Sequence, residues 1–261
     1  MSISQALRLE DRRALVFGGT SGIGRAIALA FAAVGADVVP VSRRAEEVAK
    51  TAAEIRALGR RSMELTADVT CRPQVRHVVE HMAAEMGRID ILVNSAGATK
   101  RVPSLELTDE EWTNILDVNL NGTWYACQET ARVMKEQQYG RIINIASIGS
   151  FFSLYEATAY CASKGAVVML TRCLGAEWAK YKITVNAIAP GVFETSINRN
   201  ILLEPGRWAS IISRTPMRRL GELEEITGAA IFLASDSASF VNATILSVDG
   251  GFMAQGVGPG C

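Results

Sequence analysis

The 261-residue sequence predicts an α/β fold, a doubly wound parallel sheet of about seven strands with helices on both faces. Three observations carry this expectation. Short β-rich runs alternate with longer segments of helical periodicity along the whole chain. Most of the short runs are Val, Ile and Leu without strict alternation, as strands covered on both faces are. The connections between them are long enough to hold a crossover helix, which implies right-handed βαβ units. Hydrophobic residues make up 49% of the chain, enough for the core of one domain over 1–261.

In order, the strands are expected at Arg13–Phe17, Asp37–Val41, Ser62–Ala67, Ile89–Asn94, Arg141–Ala146, Ile183–Ala189 and Ile245–Val248. Helical patterns fall near 22–34, 45–58, 72–86, 109–136, 157–180 and 222–235. Pro40 fits the second strand poorly, because proline cannot donate to the ladder of an inner strand. Gly191–Gly221, with Pro205 and Pro216 inside it, is the longest irregular stretch and is expected to form a substrate lid.

Charge and cysteine usage exclude several functions. Lys and Arg number 27, as do Asp and Glu, so no net field draws nucleic acid or an anionic membrane. Met1–Glu10 has no apolar segment of the secretory kind, and no run of 18 uncharged apolar residues follows. The five cysteines are odd in number, scattered and without CxxC spacing, which points to a reduced, cytoplasmic setting.

Directly after the first strand comes Gly18-Gly19-Thr20-Ser21-Gly22-Ile23-Gly24, opening a helix. Glycines permit a tight turn and close approach of a pyrophosphate, while the helix start offers N–H groups and a positive dipole end. The spacing is GxxxGxG rather than GxGxxG, so an ordinary tight βα turn is the competing reading. After the second strand, Ser42-Arg43-Arg44 stand where an acidic residue would bind the ribose 2′-hydroxyl of NAD. Arginines there suit a 2′-phosphate, so NADP(H) is expected, with NAD(H) possible if they are only a solvated helix start.

Ser147 ends the fifth strand, and Tyr160 and Lys164 follow at i and i+4 on one helix face. An ammonium so placed lowers a phenol's pKa and lets it exchange a proton with a substrate oxygen. YxxxK alone arises often by chance; the serine at a strand's C-terminal end is what lends it weight.

With these pieces in order, the chain resembles the short-chain dehydrogenase/reductase family over nearly its whole length. The matching residues are the glycine turn, Asp68-Val69, Asn94-Ser95-Ala96-Gly97, Asn119, Ser147, Tyr160, Lys164, Pro190-Gly191 and Asp249-Gly250-Gly251. The resemblance implies a Rossmann-type fold and an oxidoreductase. It implies Tyr160 as acid/base, Lys164 as its pKa partner and ribose ligand, Ser147 at the substrate oxygen, and Asn119 holding a relay water. Asp68 and Val69 would line the adenine pocket, and Asn94 would brace the central strands. The cofactor-binding set would comprise Gly18, Thr20, Ser21, Gly22, Ile23, Gly24, Ser42, Arg43, Arg44, Asp68, Val69, Asn94, Ala96, Gly97, Tyr160, Lys164, Pro190, Gly191, Val192 and Thr195. Phe17 replaces a usual Thr before the first glycine, and Ser95 a usual Asn. Family members commonly form tetramers through their two long helices, here 109–136 and 157–180, so a homotetramer or homodimer is expected.

Other signals weigh less. His77-Val78-Val79-Glu80-His81 spells HxxEH, yet Val75, Val78, Val79, Met82 and Met86 form the apolar stripe and leave the histidines facing water, so no metal is expected. Cys161 beside the tyrosine reads as a small packing residue, because no histidine follows it to serve as base. Trp112, Trp124 and Trp178 read as core or subunit contacts, whereas Trp208 could close over substrate.

The substrate end should be built from Ile148–Glu156, Lys100–Val102 and Gly191–Gly221. These mix Phe151, Phe152, Leu154, Phe193 and Trp208 with Tyr155, Glu156, Glu194, Arg199 and Arg207. Thr215-Pro216-Met217 and Ser247–Phe252 resemble sugar-acid and polyol dehydrogenases such as gluconate 5-dehydrogenase, and also 3-oxoacyl carrier-protein reductases. Carrier-protein docking would want basic residues near Lys135–Gln138 and Leu174–Glu177, where few stand. A small sugar acid, polyol or ketone is therefore expected. A non-catalytic NADP-binding redox sensor is the rival from another class.

Overall fold

Apolar side chains on both sides of the inner strands require two helical layers, and the computed structural model, which describes residues 6–195 and 205–255, contains them. The strands are β1 (Arg13–Phe17), β2 (Asp37–Ser42), β3 (Leu65–Thr66), β4 (Ile91–Asn94), β5 (Gly140–Ile145), β6 (Ile183–Pro190) and β7 (Ile245–Val248). They pair in parallel in the order β3-β2-β1-β4-β5-β6-β7. The order reverses between β1 and β4, which opens a crevice at the strands' C-terminal ends.

The helices are α1 (Gly22–Ala33), α2 (Ala45–Ala57), α3 (Arg72–Met86), α4 (Asp109–Leu116), α5 (Gly122–Gln137), α6 (Thr158–Trp178), α7 (Pro205–Arg214) and α8 (Leu223–Ala234). Leu15 and Phe17 of β1 face a core shared with α3 and α5 residues such as Val78, Met82 and Met134. Their neighbours Ala14 and Val16 face the opposite core, with Ile27 and Phe31 of α1 and Ile226 and Leu233 of α8. One strand thus anchors both layers.

Three expectations need correction. The third strand is regular only at Leu65–Thr66, not from Ser62 to Ala67. Pro40 supplies the reason. The Val38 N–H bonds the Arg61 carbonyl across this edge. Two residues on, Pro40 faces the same edge with no N–H to give, so the ladder lapses until Val41 pairs with Leu65. Second, the pattern at 109–136 is divided by a π-helical turn, Asp117–Asn121. A capping box between Thr108 and Glu111 starts this run. Third, the stretch 191–221 is not irregular throughout, because it contains α7. Prolines at 205 and 216 suggested loop, but Pro205 occupies the first turn, where its missing N–H costs nothing. Other boundaries shift by one or two residues.

Candidate active site

The glycine turn is held by contact on every side. A Cβ on Gly18 would stand 2.5 Å from the Ala96 amide nitrogen, and one on Gly24 would stand 2.2 Å from the Gly18 carbonyl oxygen. Gly18 and Gly22 also have φ of +73° and +49°, which side chains disfavour. The turn therefore lies hard against the loop after β4. At the start of α1 no side chain caps the helix and no acidic residue stands in the first turn. Its N–H groups and positive dipole end remain available to an anion. This is a cradle that fits a pyrophosphate.

Beyond β2, the Ser42 hydroxyl accepts the Arg44 N–H at 3.3 Å. Arg43 projects into solvent, with Nη1 3.8 Å from the Asp68 carboxylate. Partial burial pushes the Asp68 carboxyl up, but hydrogen bonds from the Thr70 N–H and hydroxyl, together with Arg43, outweigh it and hold the group below its ordinary range. Asp68 is thus a fixed anion at the nucleotide end, with Val69 beside it in the cleft wall.

At the C-terminal end of β5, Ser147 is buried and its Oγ accepts the Gly149 N–H at 3.0 Å. That contact leaves the hydroxyl hydrogen to be donated elsewhere. Tyr160 and Lys164 lie on one face of α6, with Nζ 5.9 Å from the phenol ring centre. Lys164 is buried, and its Nζ donates to the Ile145 carbonyl at 2.7 Å. With no carboxylate to compensate, desolvation brings the ammonium down to about 8. The expected lowering of the tyrosine's pKa is overturned for the protein's own groups. Burial pushes the Tyr160 phenol up, and the hydrogen bond with Ser147 only partly opposes it. The weakened charge on Lys164, turned towards Ile145, does not reverse that balance.

Asn119 sits in the π-helical turn, fully buried. Its Oδ1 accepts the Ala98 N–H at 2.7 Å, while Nδ2 donates to the Ala98 carbonyl and to Ser163 Oγ, both at 2.9 Å. Its own carbonyl accepts the Thr123 hydroxyl. None of these bonds runs to Lys164; the residue ties the loop after β4 to α6. Asn94 does brace the central strands. Its Nδ2 donates to Asn144 Oδ1 at 2.9 Å, and Asn144 donates onward to Thr171 on α6 at 3.0 Å. Between them lies the Cys127 thiol, which burial pushes up to about 12 and so keeps protonated.

The glycine turn, Ser42 to Arg44, Asp68, Ser147, Tyr160 and Lys164 line one cleft of about 1230 Å³, which runs from Arg43 and Asp68 past Lys164 to α7. Leu154, Tyr155, Phe193, Arg207 and Arg101 line the substrate end as expected, joined by Ser210, Ile211, Arg214, Asn114 and Phe252. Phe151, Phe152, Glu156, Glu194 and Trp208 do not line it, and Arg199 lies outside the described residues. Phe152 instead makes an edge contact with the Phe252 ring. Trp208 is exposed: the cleft face of α7 carries Gly206, Arg207, Ser210, Ile211 and Arg214, and position 208 lies about a sixth of a turn outside that arc. His77 and His81 are exposed, and no metal-binding cluster occurs among the described residues.

A protein-family model described as enoyl-(acyl carrier protein) reductase matches residues 18–253. The chain belongs to the short-chain dehydrogenase/reductase family. A 2-dehydro-3-deoxy-D-gluconate 5-dehydrogenase of Dickeya dadantii is 37% identical over 97% of this chain and 100% of its own length. D-threitol dehydrogenase of Mycolicibacterium smegmatis is 38% identical over 97% of this chain and 96% of its own. The crystal structure of a gluconate 5-dehydrogenase of Burkholderia cenocepacia, in complex with NADP and tartrate, superposes with a TM-score of 0.95. It is 39% identical and covers 97% of this chain and 100% of that one.

For a member of this family, the cleft holds nearly every residue that the sequence pointed to. Thr20, Ser21, Ile23, Gly97, Pro190, Gly191, Val192 and Thr195 line it together with Ser147, Tyr160 and Lys164. Gly24, Asn94 and Asn119 stand behind the wall and shape it. Sequence reasoning missed Arg214, Ser210 and Ile211. Their spacing of three, four and seven residues from Arg207 would have revealed a helix face, had the prolines not suggested a loop.

Proposed function

We propose that this oxidoreductase interconverts a carbonyl and a secondary alcohol with NADP(H), taking a small sugar acid, polyol or ketone. One observation carries the reading: Ser147, Tyr160 and Lys164 meet in a single cleft with the glycine cradle and the Arg43–Arg44 pair. The names of relatives, a gluconate 5-dehydrogenase crystallised with NADP among them, support the cofactor and the sugar-acid class.

NADP(H), when bound, supplies or accepts the hydride. Tyr160 gives its phenolic proton to the substrate oxygen during reduction and recovers it during oxidation. A phenol pushed up by burial holds that proton until the oxygen begins to gain charge. Ser147, oriented by the Gly149 N–H, donates to the same oxygen and fixes its position. Lys164 lies one turn further along α6, where it can stabilise the phenolate left behind and hold a ribose hydroxyl. Asn119 keeps the loop after β4 closed on α6, so that this set stays in register.

The exposed Trp112 on α4 and Met169 on α6 favour self-association through these two segments, as a homotetramer or homodimer. Light scattering with a single 28.1 kDa species at micromolar concentration would exclude it. The reaction itself is tested by following NADPH and NADH against sugar acids, polyols, diketones and 3-oxoacyl thioesters. Turnover of a sugar acid, polyol or ketone is expected. Cofactor binding without turnover of any of them would leave a redox sensor, and turnover of thioesters alone would give a carrier-protein reductase.

A further inference from the structure

The loop from β5 to α6 walls the substrate end of the cleft with Ser153, Leu154, Tyr155 and Ala157. Two side-chain bonds tie it to α6. Its first half is the turn Ile148–Ser150, closed by the Ser150 N–H on the Ser147 carbonyl at 3.0 Å. The Ser150 hydroxyl then donates to the Lys164 carbonyl at 2.9 Å. The second tie is made by Cys161, whose sulfur accepts the Leu154 N–H at 3.4 Å. Among the described residues no other side chain bonds the main chain between Phe151 and Leu154. Further along, Arg101 Nη1 and the Val102 N–H hold the Tyr155 and Glu156 carbonyls, at 3.2 and 3.0 Å.

We infer that Cys161 is a positioning residue for the substrate: its sulfur fixes the Leu154 main chain and so sets the wall that faces Ser147. This rests on the dehydrogenase reading above and adds to it a determinant of substrate affinity. Side chains lean towards the N-terminus of their helix, and Cys161 stands in the first turn of α6. It therefore covers the segment that leads into the helix, where Leu154 lies. The Leu154 N–H is half-buried and has no carbonyl to meet, so even a weak sulfur acceptor matters to it. Gly149 fills the same corner. A Cβ there would stand 3.0 Å from Leu154 Cδ1 and 3.4 Å from both Cys161 Sγ and Ser147 Oγ. A displacement of Leu154 therefore reshapes the cleft directly beside Ser147. The turn that carries Ser147 keeps its own bonds, through the Gly149 N–H and Ser150. Loss of the sulfur thus loosens the wall and leaves the reacting hydroxyl in place, which is an effect on KM rather than on kcat.

The test compares the NADP⁺-loaded wild-type enzyme with Cys161→Ala and Cys161→Ser. The substrate is whichever compound of the activity panel is turned over, with gluconate and threitol tried first. In Cys161→Ala, KM for that substrate should rise roughly three- to tenfold, the scale of one lost hydrogen bond, with kcat held within about twofold. Cys161→Ser keeps an acceptor on a shorter arm and should recover part of the rise. NADP⁺ affinity should not change, and a melting curve with NADP⁺ reports that both variants are folded. Hydrogen exchange over residues 151–157, followed by mass spectrometry, should be faster in Cys161→Ala than in the wild type and slower again in Cys161→Ser. One KM shared by the Ala and Ser variants would leave only a packing role and overturn the inference. So would a loss carried by kcat, or wild-type exchange over 151–157 in the Ala variant. If nothing in the panel is turned over, the dehydrogenase reading is what fails, and the exchange rates still decide whether Cys161 holds the loop.

Discussion

The two ends of the sheet treat charge in opposite ways. At the N-terminal edge, the buried Asp90 accepts the Arg13 N–H at 2.9 Å and the Arg88 guanidinium at 2.8 Å. Asp236 binds Arg12 at 2.8 Å and lies 3.6 Å from Arg141. The Tyr139 ring lies against both guanidinium groups, 4.3 and 4.5 Å from its centre. At the C-terminal edge, Lys164 is just as buried and has only a backbone carbonyl as partner. Both edges bury charge, but Asp90 is met by guanidinium groups, whereas Lys164 has no carboxylate set against it. A closed network of this kind fixes the strand ends, whereas the open edge keeps Lys164 buried with a backbone carbonyl in place of a carboxylate.

The comparison breaks most sharply at Tyr160. Tyr160→Phe removes one hydroxyl from the open edge, so activity should fall by about 10²–10⁴ while the melting temperature and NADPH binding hold. Turnover near that of the wild type would remove the tyrosine from the mechanism. Asp90→Ala does the reverse at the closed edge. It strands Arg88 and the Arg13 N–H, and the loss should be about 3 kcal/mol in urea unfolding. That is the low end for a broken buried pair, because Arg88 is partly exposed and regains water. The kcat/KM of the folded Asp90 variant should stay the same; a collapse of activity with full stability would mean that the edges are not independent.

Lys164 sharpens the contrast through pH. Its folded value is about 8 against an ordinary 10.5, so between these the unfolded chain binds more protons than the folded one. Stability conferred by this position therefore rises as pH climbs through that window, and the full penalty of burying the charge applies below it. Relative to Lys164→Met, the wild-type enzyme should gain roughly 2–3 kcal/mol across the window, on the scale of about 1.4 kcal/mol per unit. Parallel unfolding curves for the two proteins would show that water reaches the ammonium. The Met variant should also lose most activity, since it removes the charge next to the phenol.

How much of this was legible in the sequence follows the same division. The open edge depends on residue types at fixed spacing (Gly18 to Gly24, Tyr160 with Lys164, Ser147 after a strand), and such spacing reads directly. The closed edge does not. Arg12, Asp90, the neighbours Tyr139 and Arg141, and Asp236 come from four distant parts of the chain, and nothing local predicts that they converge. Pro40 was visible as an anomaly, but its effect, the shortened β3, needed the pairing direction of Val38. Arg214, and the helix face it shares with Arg207, were hidden because Pro205 and Pro216 bracket α7 and imitate a loop. The π-helical turn at Asn119 leaves no sequence signature, because a single inserted residue barely disturbs the 3.6-residue period.

The smallest expected effect lies at the nucleotide end, where the open edge meets solvent. Arg43 is largely exposed, and Asp68, at 3.8 Å, already draws on its charge. A 2′-phosphate brought there competes with that carboxylate and is screened by salt. One arginine contact so placed should contribute about a tenfold preference for NADP over NAD, the low end of what a hydrogen bond to a charged group supplies. Arg43→Ala should remove most of it, visible in the ratio of kcat/KM for the two cofactors. Ser42→Asp in addition should invert the ratio, because a carboxylate repels the phosphate and accepts the ribose hydroxyl of NAD. Raising salt should shrink the wild-type ratio and leave that of Arg43→Ala almost flat. A ratio near one in the wild-type enzyme would mean that Arg43 serves Asp68 rather than the cofactor. The Ser42 hydroxyl, now turned to the Arg44 N–H, would then have to bind the ribose without help from a carboxylate.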